Sequence, residues 1–414
     1  MPIETLADRY RAVRARSEAL CEPLSVEDCG VQPMDEASPP KWHLAHTAWF
    51  FETFLLKPFA AAYQPVDVRY EQLFNSYYNG VGEPYPRPRR GLLSRPTVSD
   101  VMDYRTLVDR AMEPLLDRHD GEVRRRVELG LQHEQQHQEL MLTDLKANLG
   151  LNPLKPAYRL DLAAEARAGD GAAPLGFSAH EGGMIRIGAA GDGFRFDNEL
   201  PRHRVWLEPF ALADRLVTNG EYLEFIEDGG YRDPAWWLSD GWAAVCAQRW
   251  RVPFYWRQRD GAWLEYRLSG EAPLAPADPV AHVSGFEADA YARWAGCRLP
   301  TEFEWEASAA GLDPNAGNFA DDERLHPAAG SGQLFGDLWE WTSSAYGPYP
   351  GYAPLPGALG EYNGKFMSSQ LVLRGGSCAT PRGHVRASYR NFFYPADRWQ
   401  FSGIRLAKGL EPAT

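Results

Sequence analysis

The stretch LQHEQQHQELMLTDL, residues 131–145, sets His133 and His137 four positions apart in a helix-compatible run. On a helix the two project about 40° from one another and lie roughly 6 Å apart along the axis, so both imidazoles can grip one cation from the same face. His133, Gln136, His137 and Leu140 share that face, and a polar stripe of this kind is costly in a plain apolar core. A third ligand has to come from elsewhere in the chain. The best candidate stretch is PPKWHLAHTAWFFETFLL (39–56), where either His43 or His46 would supply the third nitrogen ahead of an aromatic, helix-compatible run. Imidazole suits zinc, copper, iron or nickel, so ligand type alone leaves the metal open. His133, Glu134 and His137 also satisfy the HExxH pattern of zinc proteases, yet nothing else in the chain supports a protease.

Four helix-compatible stretches, 4–21, 38–57, 97–117 and 121–149, imply a helical bundle, an architecture that builds metal sites from side chains on facing helices. Residues 150–178 are rich in Pro, Ala and Gly and lack a sustained period. Beyond them the pattern changes to short β-compatible pieces, MIRIGA (184–189), RVWLEPFAL (204–212) and LVLRGGS (371–377), separated by Gly, Pro and Trp-rich loops. At 414 residues the chain is too long for one compact core, which fits two or three domains. The expected division is a bundle over 1–155, a linker over 156–178 and an irregular α+β domain over 179–410.

Composition excludes several classes. Lys plus Arg number 43 against 56 Asp plus Glu, a formal charge of −13 that argues against a nucleic-acid-binding face. No apolar run approaches the length that spans a bilayer, and the charged, amphipathic start MPIETLADRYRAVRARSEAL does not read as a secretion signal. The five cysteines, Cys21, Cys29, Cys246, Cys297 and Cys378, are odd in number and lack CxxC spacing, so the expected compartment is reducing and the expected location cytoplasmic.

The amino-terminal motifs WHLAHTAWFFETF and HEQQHQE resemble a DinB-like four-helix bundle. VTNGEYLEFI (217–226), AGCRLPTEFEWEAS (295–308), GDLWEWTSS (336–344) and VLRGGSC (372–378) resemble the formylglycine-generating-enzyme-like, C-type-lectin-like fold. That pairing, in that order, is similar to the EgtB-type sulfoxide synthases of ergothioneine biosynthesis. The most specific segments are LFNSYYNGVGEPYPRPRRGLLSRP (73–96) and YRNFFYPADRWQFSGIRLA (389–407), and the resemblance covers nearly the whole chain. It implies an α+β protein with an iron(II) cofactor and dioxygen as co-substrate.

Residue by residue, the resemblance implies His46, His133 and His137 as iron ligands, since the family position matching His43 is not always histidine; a His43 that is not a ligand would cap or hydrogen-bond within the bundle. It implies a proton-donating role for Tyr77 or Tyr78 of the NSYY turn, since a phenol can give up a proton without being a strong ligand. Arg87, Arg89 and Arg90 form a proline-stiffened basic cluster, and guanidinium forks recognise carboxylates bidentately. By resemblance Arg87 and Arg90 bind the carboxylate of the thiol substrate. Gln136 is implied in bonding the imidazole of hercynine, the trimethylated betaine of histidine, and Asn391, Phe392 and Phe393 in contacting that substrate. In one branch of the family a Trp and an Asp stand where this chain has Phe392 and Phe393, which favours cysteine over γ-glutamyl-cysteine here.

The activity so implied joins the sulfur of L-cysteine to C2 of hercynine and oxidises it, giving hercynylcysteine sulfoxide. Ovothiol-type synthesis on histidine, selenoneine-type synthesis and, from another class, a metal-dependent thiol-binding protein without oxygenase activity are the alternatives. Formylglycine generation is not expected, because RASYRNFF carries Tyr389 where that chemistry needs a cysteine, and Cys378 reads as buried and inert. The Trp-rich GDLWEWTSS reads as architecture.

Overall fold

The computed structural model describes residues 5–162, 172–330 and 333–410. Part of the expected linker, 163–171, lies outside the described residues. The chain forms two compact units, Met1–Tyr158 together with Leu355–Tyr362, and Arg159–Pro354 together with Asn363–Thr414.

Four long helices build the first unit: α1 (Leu6–Ala19), α2 (Pro40–Phe51), α5 (Val98–Leu116) and α6 (Gly121–Leu151), with short α3 (Lys57–Phe59) and α4 (Tyr70–Leu73) between α2 and α5. Their starts are written locally. Thr5 with Asp8 and Thr97 with Asp100 form reciprocal capping boxes, and Pro40 occupies the first turn of α2, where its missing N–H costs nothing. α2 runs through a π-helical turn, Glu52–Leu56, into α3. It packs against both α5 and α6, and every residue from Pro40 to Phe51 is buried, which is why its apolar residues run all round the helix rather than along one stripe. α6 comes close to α2 at Gly130, where a Cβ atom would lie 2.5 Å from the Phe51 ring. Within two turns of that contact, His46 and His133 face each other.

Among the described residues, the strands of the second unit form four small sheets. β1 (Phe177–His180), β4 (Phe210–Ala213) and β12 (Ala407–Gly409) form one antiparallel sheet, and β2 (Gly183–Ile187) pairs with β3 (His203–Leu207). β5 (Trp256–Arg259), β6 (Ala262–Arg267) and β7 (Gly270–Pro273) make a meander. The fourth sheet has the order β10 (Asn391–Phe393), β9 (Leu371–Arg374), β8 (Trp339–Ala345), β11 (Ser402–Gly403), with β11 parallel to β8. Helices α7 (Asn219–Glu227), α8 (Ser239–Gln248), α9 (Gly285–Trp294) and α10 (Glu302–Ser308) complete the unit. Trp339 and Trp341 of the GDLWEWTSS motif are buried on β8, and the Trp305 indole donates to Glu340 at 2.7 Å. Buried arginines tie these elements together: Arg374 of β9 and Arg390 both engage Glu302 of α10, and Arg405 engages Glu340 of β8. Cys378 is fully buried. The protein is thus α+β, helical first and sheet-containing second, and no described helix is long and apolar enough to cross a membrane.

Candidate metal centre

The bundle of the first unit brings His46 of α2 together with His133 and His137 of α6, with one nitrogen from each lying within 4.8 Å of the others. All three are buried. His46 Nδ1 donates to the Phe74 carbonyl at 2.6 Å, which leaves its Nε2 as a lone pair 3.1 Å from His133 Nε2. His133 Nδ1 is buried with no hydrogen-bond partner among the described residues. Burial pulls the pKa of His133 down to about 3, and burial together with the neighbouring imidazoles holds His46 and His137 well below the ordinary histidine value. Three neutral nitrogens thus converge in a buried space, a donor set that fits a divalent first-row metal. Phe50 stacks on His133 at 4.3 Å, so one wall of the cluster is apolar.

His43 is placed differently. Its Nδ1 lies 2.9 Å from His137 Nδ1 and its Nε2 lies 3.1 Å from the Asp144 carboxylate, so it stands behind a candidate ligand rather than beside it. Glu134, the acid of the HExxH pattern, is committed elsewhere. Its two oxygens accept from Arg14 at 2.8 Å and Arg105 at 2.9 Å in a fully buried network. Burial opposes its charge, but the two guanidiniums outweigh burial and hold the carboxyl at about 2. A carboxylate so occupied cannot serve as a protease base.

The loop after α4 frames the cluster. The side chain of Asn75 donates to the carbonyls of Tyr78 and Gly82, both at 3.0 Å, and accepts from Tyr78 N at 2.9 Å, so one buried amide shapes the turn. Tyr78 is fully buried and stacked on Tyr77 at 4.6 Å. Burial, then the Tyr77 and Tyr362 phenols, push the pKa of Tyr78 well above the ordinary value, so it stays protonated. Tyr362, from the 355–362 segment of the same unit, donates to Gln136 and sets its ring edge-on to His133 at 5.7 Å. Glu361 anchors that segment by accepting from the backbone of Asn79 at 3.0 Å and Gly80 at 2.6 Å.

Arg90 lies in the 3-10 turn Arg87–Leu92 and is only 3% exposed. Its guanidinium sits 3.3 Å over the Trp42 ring, and Trp42 stacks in turn on His46 at 4.6 Å and 10°. One Arg90 nitrogen donates to Ser38 Oγ at 2.8 Å, while Nε and Nη2 are buried without a partner among the described residues. Burial, reinforced by Arg87 and opposed by Asp144, disfavours the Arg90 charge. Arg87 and Arg89 are exposed.

Asn391, Phe392 and Phe393 form β10 of the second unit. Phe392 stacks on Tyr346 at 4.1 Å and on Phe366 at 5.9 Å, and Phe393 meets Trp399 edge-on at 6.3 Å. Sequence reasoning missed Trp42, Asp144 and Tyr362. Asp144 carried a usable signal, since it follows His137 by seven residues and so lies two turns along the same helical face. Tyr362 carried none.

Known proteins bear on this geometry. Residues 9–141 match the DinB superfamily, and residues 176–331 and 326–410 match the sulfatase-modifying factor enzyme 1-like domain. The chain is 34% identical to a hercynine oxygenase of Mycolicibacterium smegmatis, with 98% of each chain covered. The chain belongs to the hercynine oxygenase family. It is 32% identical to the Mycobacterium tuberculosis member, again over 98% of each chain. The ergothioneine biosynthesis protein 1 of Schizosaccharomyces pombe is 29% identical over 52% of this chain and 28% of its own length. Membership makes this protein an oxidoreductase of the EgtB type.

Proposed function

We propose that this hercynine oxygenase relative is an iron(II)- and dioxygen-dependent sulfoxide synthase that joins the sulfur of L-cysteine to C2 of hercynine. The observation that carries the reading is Arg90, a buried guanidinium with two nitrogens that have no partner among the described residues, one Trp42 ring away from the His46, His133 and His137 cluster. An anionic substrate held there places its remaining atoms beside three converging imidazole nitrogens, as a cysteine bound by its carboxylate would be.

His46, His133 and His137 would hold the iron, which when bound supplies the electron-transfer chemistry that dioxygen requires. The reaction is a four-electron oxidation. The C2–H and S–H bonds break, a C–S bond forms, one oxygen atom stays on sulfur and the other leaves as water. Arg90, with Arg87 at the same turn, orients the thiol substrate, and the stacked rings of Trp42 and Phe50 keep water from the cluster. Tyr78 or Tyr77 holds the proton delivered as sulfur is oxidised, a role that suits a buried phenol kept protonated. The family resemblance, and not the placement of the two units, is what proposes Gln136, Asn391, Phe392 and Phe393 as hercynine contacts. The aromatic faces around Phe392 suit a quaternary ammonium, which has no hydrogen to donate. Phe393, standing where a branch of the family has an acid, favours cysteine over γ-glutamyl-cysteine. The absence of CxxC spacing fits a reducing, cytoplasmic setting.

The test is oxygen consumption by iron-loaded protein, with products read by mass spectrometry. Uptake that needs hercynine and cysteine together, yielding one joined product that carries a single added oxygen, is expected. Uptake with cysteine alone, giving only sulfinate, would refute the synthase reading. Replacing both Tyr77 and Tyr78 by Phe should divert turnover from sulfoxide toward sulfinate, and an unchanged product ratio would remove the phenols from the mechanism.

A further inference from the structure

We propose that His43 and Asp144 are positioning residues of the metal centre, which hold His137 by its Nδ1–H so that Nε2 is the atom turned to the cation. The inference rests on the metal reading above and extends it to two residues outside the ligand set. His43 is 2% exposed and Asp144 4%, so no bulk water competes for their hydrogen bonds. Asp144 Oδ2 accepts from the Ser38 backbone N–H at 2.7 Å and lies 3.1 Å from His43 Nε2. A carboxylate only accepts, so His43 Nε2 carries the hydrogen. His43 Nδ1 faces His137 Nδ1 at 2.9 Å, and a ring that presents its Nε2 lone pair to a cation carries its own hydrogen on Nδ1, so the geometry assigns the hydrogen between them to His137. The lone pair of His137 is then fixed on Nε2. His46 reaches the same state by another route, spending its Nδ1–H on the Phe74 carbonyl. Carboxylate–histidine pairs of this kind orient a ligand ring and raise its basicity.

The network does not stop at Asp144. Ser38, whose backbone holds the carboxylate, also accepts from Arg90 through Oγ at 2.8 Å. The arginine of the anion site and the imidazole of the metal site are therefore built on one buried set of hydrogen bonds.

The test is metal affinity of the full-length, metal-free protein, titrated with Co(II) against a chromophoric chelator, together with the visible Co(II) spectrum. His43→Phe keeps the ring volume and removes both hydrogen bonds. It should still bind one Co(II) per chain, but 10- to 100-fold more weakly and with an altered spectrum. His43→Gln can accept from His137 through its carbonyl and donate to Asp144 through its amide, and should return to within about threefold of the unaltered protein. Asp144→Asn, which keeps an acceptor but loses the charge, should weaken binding by about threefold to tenfold. Unaltered affinity and spectrum in His43→Phe would overturn the proposal. So would a His43→Gln variant as weak as His43→Phe, since that result reports only filled volume. If His43→Phe does not fold, unaltered affinity in Asp144→Asn overturns it instead. Failure of the metal reading looks different: the unaltered chain and His46→Ala would bind Co(II) equally poorly.

Discussion

At the residue scale, Glu134 and Arg90 are opposite cases of a buried charge. Glu134 is fully paired, with Arg14 and Arg105 on its two oxygens. Replacing it by Gln leaves two buried guanidiniums short of a counter-charge, and breaking a buried pair in this way costs about 3–5 kcal/mol. Urea unfolding of the metal-free protein checks this. A loss below about 1 kcal/mol would mean that the network is slack. Turnover per folded Glu134→Gln molecule should persist, whereas a protease base would not survive the change. Arg90, by contrast, has two buried nitrogens with no hydrogen-bond partner among the described residues, the opening proposed for an anion. Arg90→Leu should raise the KM for cysteine by about 100-fold, equivalent to about 2.7 kcal/mol for charge-assisted bonds lost from a dry site, while sparing hercynine binding. Steady-state kinetics with each substrate varied in turn decides the matter, and an unchanged KM for cysteine counts against the anion site.

At the element scale, the contact of α2 with α6 sets how the candidate ligands meet. Gly130 costs α6 about 1 kcal/mol in intrinsic helix stability relative to alanine. It is nevertheless the position at which the Phe51 ring comes within 2.5 Å of where a Cβ would stand. Gly130→Ala should therefore destabilise the protein by about 1–3 kcal/mol in denaturant unfolding, overpacking outweighing the propensity gain. Co(II) affinity should weaken with it as α6 is pushed from α2. A stabilised variant would show that Phe51 can move aside at no cost.

At the scale of the whole molecule, acid is the sensitive direction. His133 in the first unit and His384 in the second are buried with pKa values of about 3, while their unfolded counterparts titrate near about 6.5. Below that value the unfolded chain binds protons that the folded chain refuses, so stability falls as pH drops, by about 1.4 kcal/mol per pH unit for each such histidine. Glu134, held at about 2, adds a further loss below the usual glutamate range, where only the unfolded carboxyl takes a proton. The Tm of the metal-free protein should decline steadily from pH 7 downward. In particular it should be lower at the sequence pI of 5.3 than at pH 7. A Tm maximum at the pI would contradict the buried neutral histidines.

Local signals in the sequence determined the helical first part, the sheet-containing second part and the paired imidazoles of α6. Capping residues such as Thr5 and Thr97, and the four-residue spacing of His133 and His137, act within a turn or two of chain, so they can be read without knowing the fold. Spacing also narrowed the partner on α2 to His43 or His46 but could not choose, because both lie near the start of one wholly buried helix. Tertiary packing chose: the close approach at Gly130 sets His46 against His133, and Asp144 draws His43 behind His137. The inclusion of 355–362 in the first unit, and with it the Tyr362 ring beside His133, left no local trace. Contacts between residues more than two hundred positions apart are made by chain closure, and no periodicity records them.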